Sequence, residues 1–264
     1  MSNPPVRFLH LLLLVVLLSF LGAQMLHEAG HWTVLQLTGR EPVWGFTSLV
    51  QLWDREPADP AQWVEIIDPR GDRGWLRLSS LPSSRAEWVA FLAAGSLFQL
   101  GAVVAGILVM IFAKRDIVRE LGLLVALINS FAQFTYQVVA PIRGSGGDEY
   151  LLSYHLGVPM AAVSVPLALA FAAGLIWAFY QLDGSRMRLK YAAVLMLGII
   201  PQGPLLMRAN EIVRDQVDAG NPLFQPVFGF SLPVLILSLL AFLALVAIVR
   251  SKANRAIFPA RDYN

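Results

Sequence analysis

The sequence contains no cysteine. That absence removes disulfides, thiolate metal sites and cysteine nucleophiles together, so any metal must be held by His, Asp or Glu. Charge is scarce as well. Asp, Glu, Lys and Arg make up 14% of the 264 residues against 56% hydrophobic, and the mean hydropathy is +0.60. A water-soluble domain of this length does not carry so few charges, so the class implied is a multi-pass integral membrane protein, expected in the cell membrane. The formal net charge of +2 is small, and no basic cluster is interleaved with aromatics, which argues against a nucleic-acid partner. Histidine is also rare, at four residues, too few for the multiple histidine boxes of a di-iron desaturase or hydroxylase.

Long apolar runs are abundant. They predict six membrane spans: Arg7 to Leu37, Trp88 to Phe112, Leu121 to Ala140, Leu156 to Tyr180, Tyr191 to Leu206 and Phe230 to Val249. Each except the fifth, which is short and interrupted by Pro201 and Pro204, supplies the roughly 20 apolar residues that a bilayer requires. The fold class expected is an all-α polytopic membrane protein of about six transmembrane helices, a single membrane-embedded domain over 1–264. The first 24 residues have the look of a signal peptide with a small-residue cleavage site at Leu21-Gly22-Ala23. The apolar stretch continues to Leu26, however, which is longer than a usual signal core, and a retained first span is expected.

The connection from Gly39 to Glu87 is not a span. Its segment "AQWVEIIDPRGDRGWLRLSSL" alternates apolar and polar residues around Pro69-Arg70-Gly71-Asp72, which predicts a hairpin pairing Trp63 to Ile67 with Trp75 to Leu81. Trp44, Trp53, Trp63, Trp75 and Trp88 fall in or beside it. Either the hairpin lies at the membrane surface, where tryptophan is favoured, or the tryptophans form a small core of their own.

The stretch "MLHEAGHW", 25–32, places His27, Glu28 and His31 at the end of the first span. Positions i and i+4 share a helix face, so the two imidazoles can hold one metal ion. Glu28, a quarter-turn around, can reach a water at that ion without ligating it, the arrangement of a zinc hydrolase. With four His and eight Glu in the chain, chance would produce this pattern roughly 0.002 times. Ionisable groups at membrane depth are costly, and they usually face a bundle interior or a wet cavity for a functional reason.

Two histidines do not complete a catalytic zinc site, and a third protein ligand is expected. His10 lies more than four turns before His27, about 25 Å along the helix. The remaining candidates are Asp148, Glu149 and His155. Asp148 is favoured because it follows a Gly-rich break (Gly144, Gly146, Gly147), and irregular backbone at membrane depth lines a cavity or is buried in protein. An N-terminal helix cap is the alternative role for Asp148. In the third span Asn129, Gln133, Tyr136 and Gln137 recur on one side. The stripe either lines the cavity, with Asn129 binding substrate backbone or the oxyanion, or hydrogen-bonds between helices. In the second span Gly101 and Ala105, and Ala102 and Gly106, are four apart and favour close helix packing, with the metal-bearing helix as the candidate neighbour.

Together these residues resemble the site-2 proteases, intramembrane zinc metalloproteases. HEAGH closes an apolar first span. "AAGSLFQL", 93–100, stands where that family has an Ala-Gly-Pro-x-x-Asn motif, with Ser96 in place of Pro and Gln99 in place of Asn. Asp148 follows a break, where the family has its third ligand. The family's Asn-Pro-x-Pro and Leu-Asp-Gly signature is absent, and the resemblance covers roughly Leu9 to Leu156. It implies Zn2+ held by His27, His31 and Asp148, catalysis by Glu28, and hydrolysis of a peptide bond in or near a transmembrane segment of another membrane protein. No segment is long enough for the PDZ or nucleotide-sensing domains of some members. The alternative from another class is a non-hydrolytic membrane protein, a metal or ion transporter or an inactive protease-like scaffold. Orientation stays open: 11 basic residues on the side of the termini against 9 on the other lean toward cytoplasmic termini, whereas the resemblance leans the other way.

Overall fold

The computed structural model describes residues 4–48, 51–53, 55–142 and 147–250. Six helices in it are long and apolar enough to cross a membrane: Phe8–Leu37, Arg85–Phe112, Asp116–Pro141, Met160–Tyr180, Gly184–Asp218 and Leu232–Arg250. The chain is an all-α multi-pass membrane protein with small β additions. Gly144 and Gly146 of the expected break, and the basic residues Lys252, Arg255 and Arg261, lie outside the described residues.

The first span is built in three pieces. Helix α1 (Pro4–Ser19) runs into a π-helical turn, Phe20–Gln24, and then into α2 (Met25–Leu37). The wide turn is marked by the bond from the Met25 N–H to the Phe20 carbonyl. Such π turns are rare and widen the helix locally, and this one sits immediately before HEAGH. Leu11, Leu14, Val15 and Leu18 of α1 are buried in the main core, against Leu123, Leu124 and Leu127 of α4 (Asp116–Ile142) and Val194 and Leu195 of α7 (Gly184–Ile199).

Helix α3 (Arg85–Phe112) starts three residues before the expected Trp88, capped by Ser84, whose hydroxyl accepts from the Glu87 N–H at 3.2 Å. Glu87 ties this start to the end of α2. It accepts from Arg40 Nε at 2.8 Å, Arg40 Nη2 at 3.1 Å, Thr38 Oγ1 at 2.9 Å and Ser83 N at 2.8 Å. The connection between the first two spans is therefore pinned at its base. Beyond the pin lie strands β1 (Gln51–Trp53), β2 (Trp63–Ile67) and β3 (Arg73–Arg77), an antiparallel sheet in the order β1-β3-β2.

The hairpin expected from the alternation is present, but its register differs. Trp63 pairs with Arg77 and Ile67 with Arg73, so the partner strand is 73–77 and Leu78–Ser80 form a 3-10 turn. The carboxylate of Asp68 sets the register, since it accepts from the backbone N–H of Arg70 (2.8 Å) and of Asp72 (2.9 Å) and closes the turn early. The tryptophans divide between roles. Trp44 stacks on Phe230 with centroids 4.7 Å apart, beside Trp32, and Trp88 stacks on His155 at 5.2 Å, so both are packed within the protein.

Two further differences concern the helices. The fifth span is not short: α7 bends at Ile200–Pro201 into α8 (Gln202–Asp218), and together they give 35 residues. The polar residues that end the apolar run in the sequence anchor neighbouring chain. Asn210 is fully buried and accepts from the Phe46 N–H at 2.6 Å, while Asp215 and Asp218 pair with Arg55 at 2.9 and 3.2 Å. The small residues of α3 also meet a different neighbour. Gly106 crosses Gly122 of α4, where an added Cβ at either would lie 2.6 or 2.7 Å from the other's carbonyl oxygen, whereas Gly101 faces open space. The α3–α2 contact is made instead at Gly30, where a Cβ would lie 2.4 Å from the Ala94 carbonyl oxygen.

The expected consequence is that Gly106→Leu forces α3 and α4 apart at a loss of about 1–3 kcal/mol. Thermal unfolding in detergent should show a clear drop for this variant and no change for Gly101→Ala.

Candidate metal centre

Helix α2 crosses α3 at Gly30, and the crossing sets the depth of His27 and His31. They lie ten and six residues from the last residue of the span, about 15 and 9 Å along the axis. Helix α5 (Gly147–Leu156) brings its first turn to the same place. Asp148 Oδ2 lies 3.0 Å from His27 Nε2 and 3.1 Å from His31 Nε2, and the two Nε2 atoms are 3.0 Å apart. Asp148 is the carboxylate that meets both histidines. Glu149 turns away and is buried, accepting from Ser96 Oγ at 2.9 Å and from the Gln137 amide. His155 stands outside the triad, stacked on Trp88; burial and then the nearby Arg85 charge lower its pKa, so it is neutral at neutral pH.

The far nitrogen of each imidazole fixes its tautomer. His31 Nδ1 lies 2.7 Å from the Phe91 carbonyl oxygen, which can only accept, so Nδ1 carries the hydrogen. His27 Nδ1 lies 2.8 Å from Gln99 Oε1, and the Gln99 amide is oriented by the bond from its Nε2 to the Ala23 carbonyl at 3.2 Å. Both Nε2 lone pairs therefore point inward, toward each other and toward a carboxylate. Three acceptors about 3 Å apart repel unless positive charge lies between them, and a single shared proton serves only one pair. A tetrahedral ion with bonds of 2.0–2.1 Å spaces its ligands about 3.3 Å apart, so the donor set fits a metal ion in chemistry and in size. Among the described residues this is the group of His, Asp and Glu that could hold one.

Glu28 stands beside the triad and is 2% exposed. One carboxylate oxygen accepts from Gln24 Nε2 at 3.1 Å, and the other, Oε2, has no protein partner. A cavity of about 290 Å³ opens here. Glu28, His31 and Asp148 line it together with Thr47, Ser48, Ile66, Ile67, Phe91, Tyr154 and His155.

The polar stripe of the third span is not in this cavity. Gln133 reaches Gln99 of α3 and lies 3.2 Å from His27 Nδ1, Gln137 reaches Glu149 of α5, and the two glutamines bond to each other within α4. Asn129 is fully buried, with its Nδ2 donating to the Val125 carbonyl at 2.9 Å. The structure thus brings together His27, Glu28, His31 and Asp148 but leaves Asn129 apart from them. Three residues that residue-type reasoning had not assigned a role belong at the centre. Gly95 leaves no room for a side chain, since a Cβ there would lie 2.5 Å from His27 Cε1 and 2.6 Å from His31 Nε2. Gln99 and the Phe91 carbonyl hold the imidazoles from behind. The stretch "AAGSLFQL" was singled out only through its resemblance, and its Gly, Ser and Gln now each have a contact.

Comparison with protein-family models finds no match, and comparisons with curated proteins and with solved structures find no significant match.

Gly95→Ala should abolish binding of a divalent ion while the protein still folds, because the methyl group would stand against both imidazoles. Metal analysis of the purified variant beside the wild type, His27→Ala and Asp148→Ala would check this: stoichiometric metal is expected in the wild type alone.

Proposed function

We propose that this chain is an intramembrane zinc metalloprotease of the site-2 protease kind, hydrolysing a peptide bond in or near a transmembrane segment of another protein of the cell membrane. The observation that carries this reading is the convergence of three inward-facing lone-pair donors beside a buried glutamate with a free carboxylate oxygen, on the wall of a cavity.

Two imidazoles and one carboxylate, with the cavity side left open, form a donor set of the catalytic zinc type. When bound, the ion would supply Lewis acidity, acidifying a water and polarising the scissile carbonyl. The chain's own residues supply the rest. His27, His31 and Asp148 would hold the ion. Glu28 takes the proton from the attacking water and returns it to the departing amide nitrogen; its Oε1 is steadied by Gln24, and its Oε2 is available for the transfer.

A transmembrane helix hides its carbonyls in its own hydrogen bonds, so it must locally unwind before it can be cut. Ile66 and Ile67, which line the cavity, belong to β2, an edge strand of the sheet. An unwound segment can pair with a free strand edge and so keep its backbone groups satisfied beside Glu28. The biological role would be regulated proteolysis, releasing a membrane-tethered factor or clearing a membrane remnant. A non-hydrolytic transporter or scaffold would have no use for Glu28, which is not needed to hold the ion.

The test is to incubate a membrane-protein fraction with the purified enzyme and with Glu28→Gln, and to map new peptide termini by mass spectrometry. We expect wild type and variant to hold equal metal, and termini clustered in or beside transmembrane segments to arise with the wild type only, with at least a 100-fold loss in the variant. Identical termini with both proteins would sink the protease reading.

A further inference from the structure

Behind His27 lies a row of three glutamines that the proposed chemistry does not itself require. It starts at Glu149, which is 2% exposed and receives hydrogen bonds from Ser96 and Gln137. Glu149 Oε1 accepts from both the Ser96 hydroxyl and Gln137, so Gln137 presents its amide nitrogen. That nitrogen also donates to Gln133 Oε1 at 3.3 Å, which turns the Gln133 nitrogen the other way, onto Gln99 Oε1. Gln99 Oε1 in turn receives the His27 Nδ1 hydrogen. Every amide in the row has one sense only, and the sense is imposed at both ends by groups that cannot reverse: the Glu149 carboxylate and the Ala23 carbonyl.

Inert packing does not need this order. Apolar side chains would fill the same space, and an amide pointing either way would pack equally well. Gln133 Nε2 also lies 3.2 Å from His27 Nδ1, so a reversed Gln133 would turn its oxygen against Gln99 Oε1 and offer the His27 N–H a competing acceptor, and a reversed Gln99 would set its NH2 against the His27 N–H. Either change would free His27 to tip or to move its hydrogen to Nε2, the atom that faces Asp148. Asp148 and Glu149 are adjacent in α5, so the first turn of one helix acts on both edges of the His27 ring.

We propose that Glu149 is a positioning residue for the metal centre: through Gln137, Gln133 and Gln99 it holds His27 in the tautomer and orientation that present Nε2 to the ion. The proposal rests on the metal-centre reading above. A residue supporting a metal ligand in this way typically contributes 10–100-fold to metal affinity.

The experiment is a Co2+ titration of the full-length protein in detergent, read by the visible absorption of the four-coordinate ion. The variants are Glu149→Leu, Gln137→Leu, the double variant, Glu149→Gln and Ser96→Ala, each with its melting temperature. We expect Glu149→Leu and Gln137→Leu each to weaken Co2+ binding about 10-fold or more, and the double variant to be no weaker than either single one. Glu149→Gln keeps an acceptor oxygen and should recover most of the affinity. Ser96→Ala touches Glu149 outside the row and should bind as the wild type does. Should Glu149→Leu fail to fold, Gln137→Leu, remote from Asp148 in the chain, carries the test alone. Wild-type affinity in Gln137→Leu, or losses that simply add in the double variant, would overturn the relay and leave the metal centre standing. A wild-type protein that gives no Co2+ spectrum would overturn the metal centre and the relay together.

Discussion

Polar atoms set inside an apolar bundle must each find a partner, because an unpaired buried group costs several times what a paired one contributes. That constraint organises the middle of this protein. Two imidazoles and the Asp148 carboxylate lie about 3 Å apart, with Glu28 beside them and Glu149 next to Asp148 in the chain. Around them His31 Nδ1 is given to a backbone carbonyl, His27 Nδ1 to a glutamine, and Glu149 to a serine and a second glutamine. At the triad itself, three inward lone pairs and one oxygen of Glu28 are left over, and that set is chemically informative; Asn129 Oδ1 and Ser130 Oγ are buried without a protein partner elsewhere in the bundle. The close approaches of backbone at Gly30 and Gly95 follow from the same need, because only without side chains there can α3 come near enough to supply the partners.

The first half of this arrangement is legible in the sequence. Apolar runs of span length have few alternatives to membrane helices, and the six spans follow from them directly. HEAGH is legible because a helix converts a spacing of four into a shared face, with no knowledge of the neighbours required. Asp148 could be favoured as the third-ligand candidate because irregular backbone at membrane depth, here a run of glycines, lines a cavity or is buried in protein. Where the sequence carries a local cause, such as the turn residues around Gly71, the turn falls where it is expected, between Ile67 and Arg73.

The rest was not legible because it depends on which neighbour a residue meets. The small residues of α3 announce a close approach without saying to what: Gly106 meets α4 and Gly101 meets nothing within 4 Å. Gln133 and Gln137 read as ordinary bundle polarity, and only their placement behind His27 gives them an order. Asn129, on the same stripe, gives its amide nitrogen to a carbonyl of its own helix, while its Oδ1 is buried without a protein partner. The polar end of the fifth span seemed to lie beyond the helix, whereas Asn210 and Asp218 are helical residues used to grip the first connection. Strand β1 has three residues, too few for any alternation to register.

The clamp of Arg40 on Glu87 bears on how such a protein can change over evolutionary time. Because the two ends of the connection are fastened to each other, the sheet and turns between Arg55 and Leu81 can vary with less effect on the helices that carry the histidines than Val43 to Ser48, which pack into the bundle. Ile66, Ile67 and Leu76 form one wall of the cavity from within that more variable piece, while the ion-facing groups belong to the helical frame. On the proposed reading, the groups that would react and the wall that would select among substrates thus belong to different parts of the chain, and changes in the loop-borne wall would alter what is admitted while leaving the four residues of the centre in place.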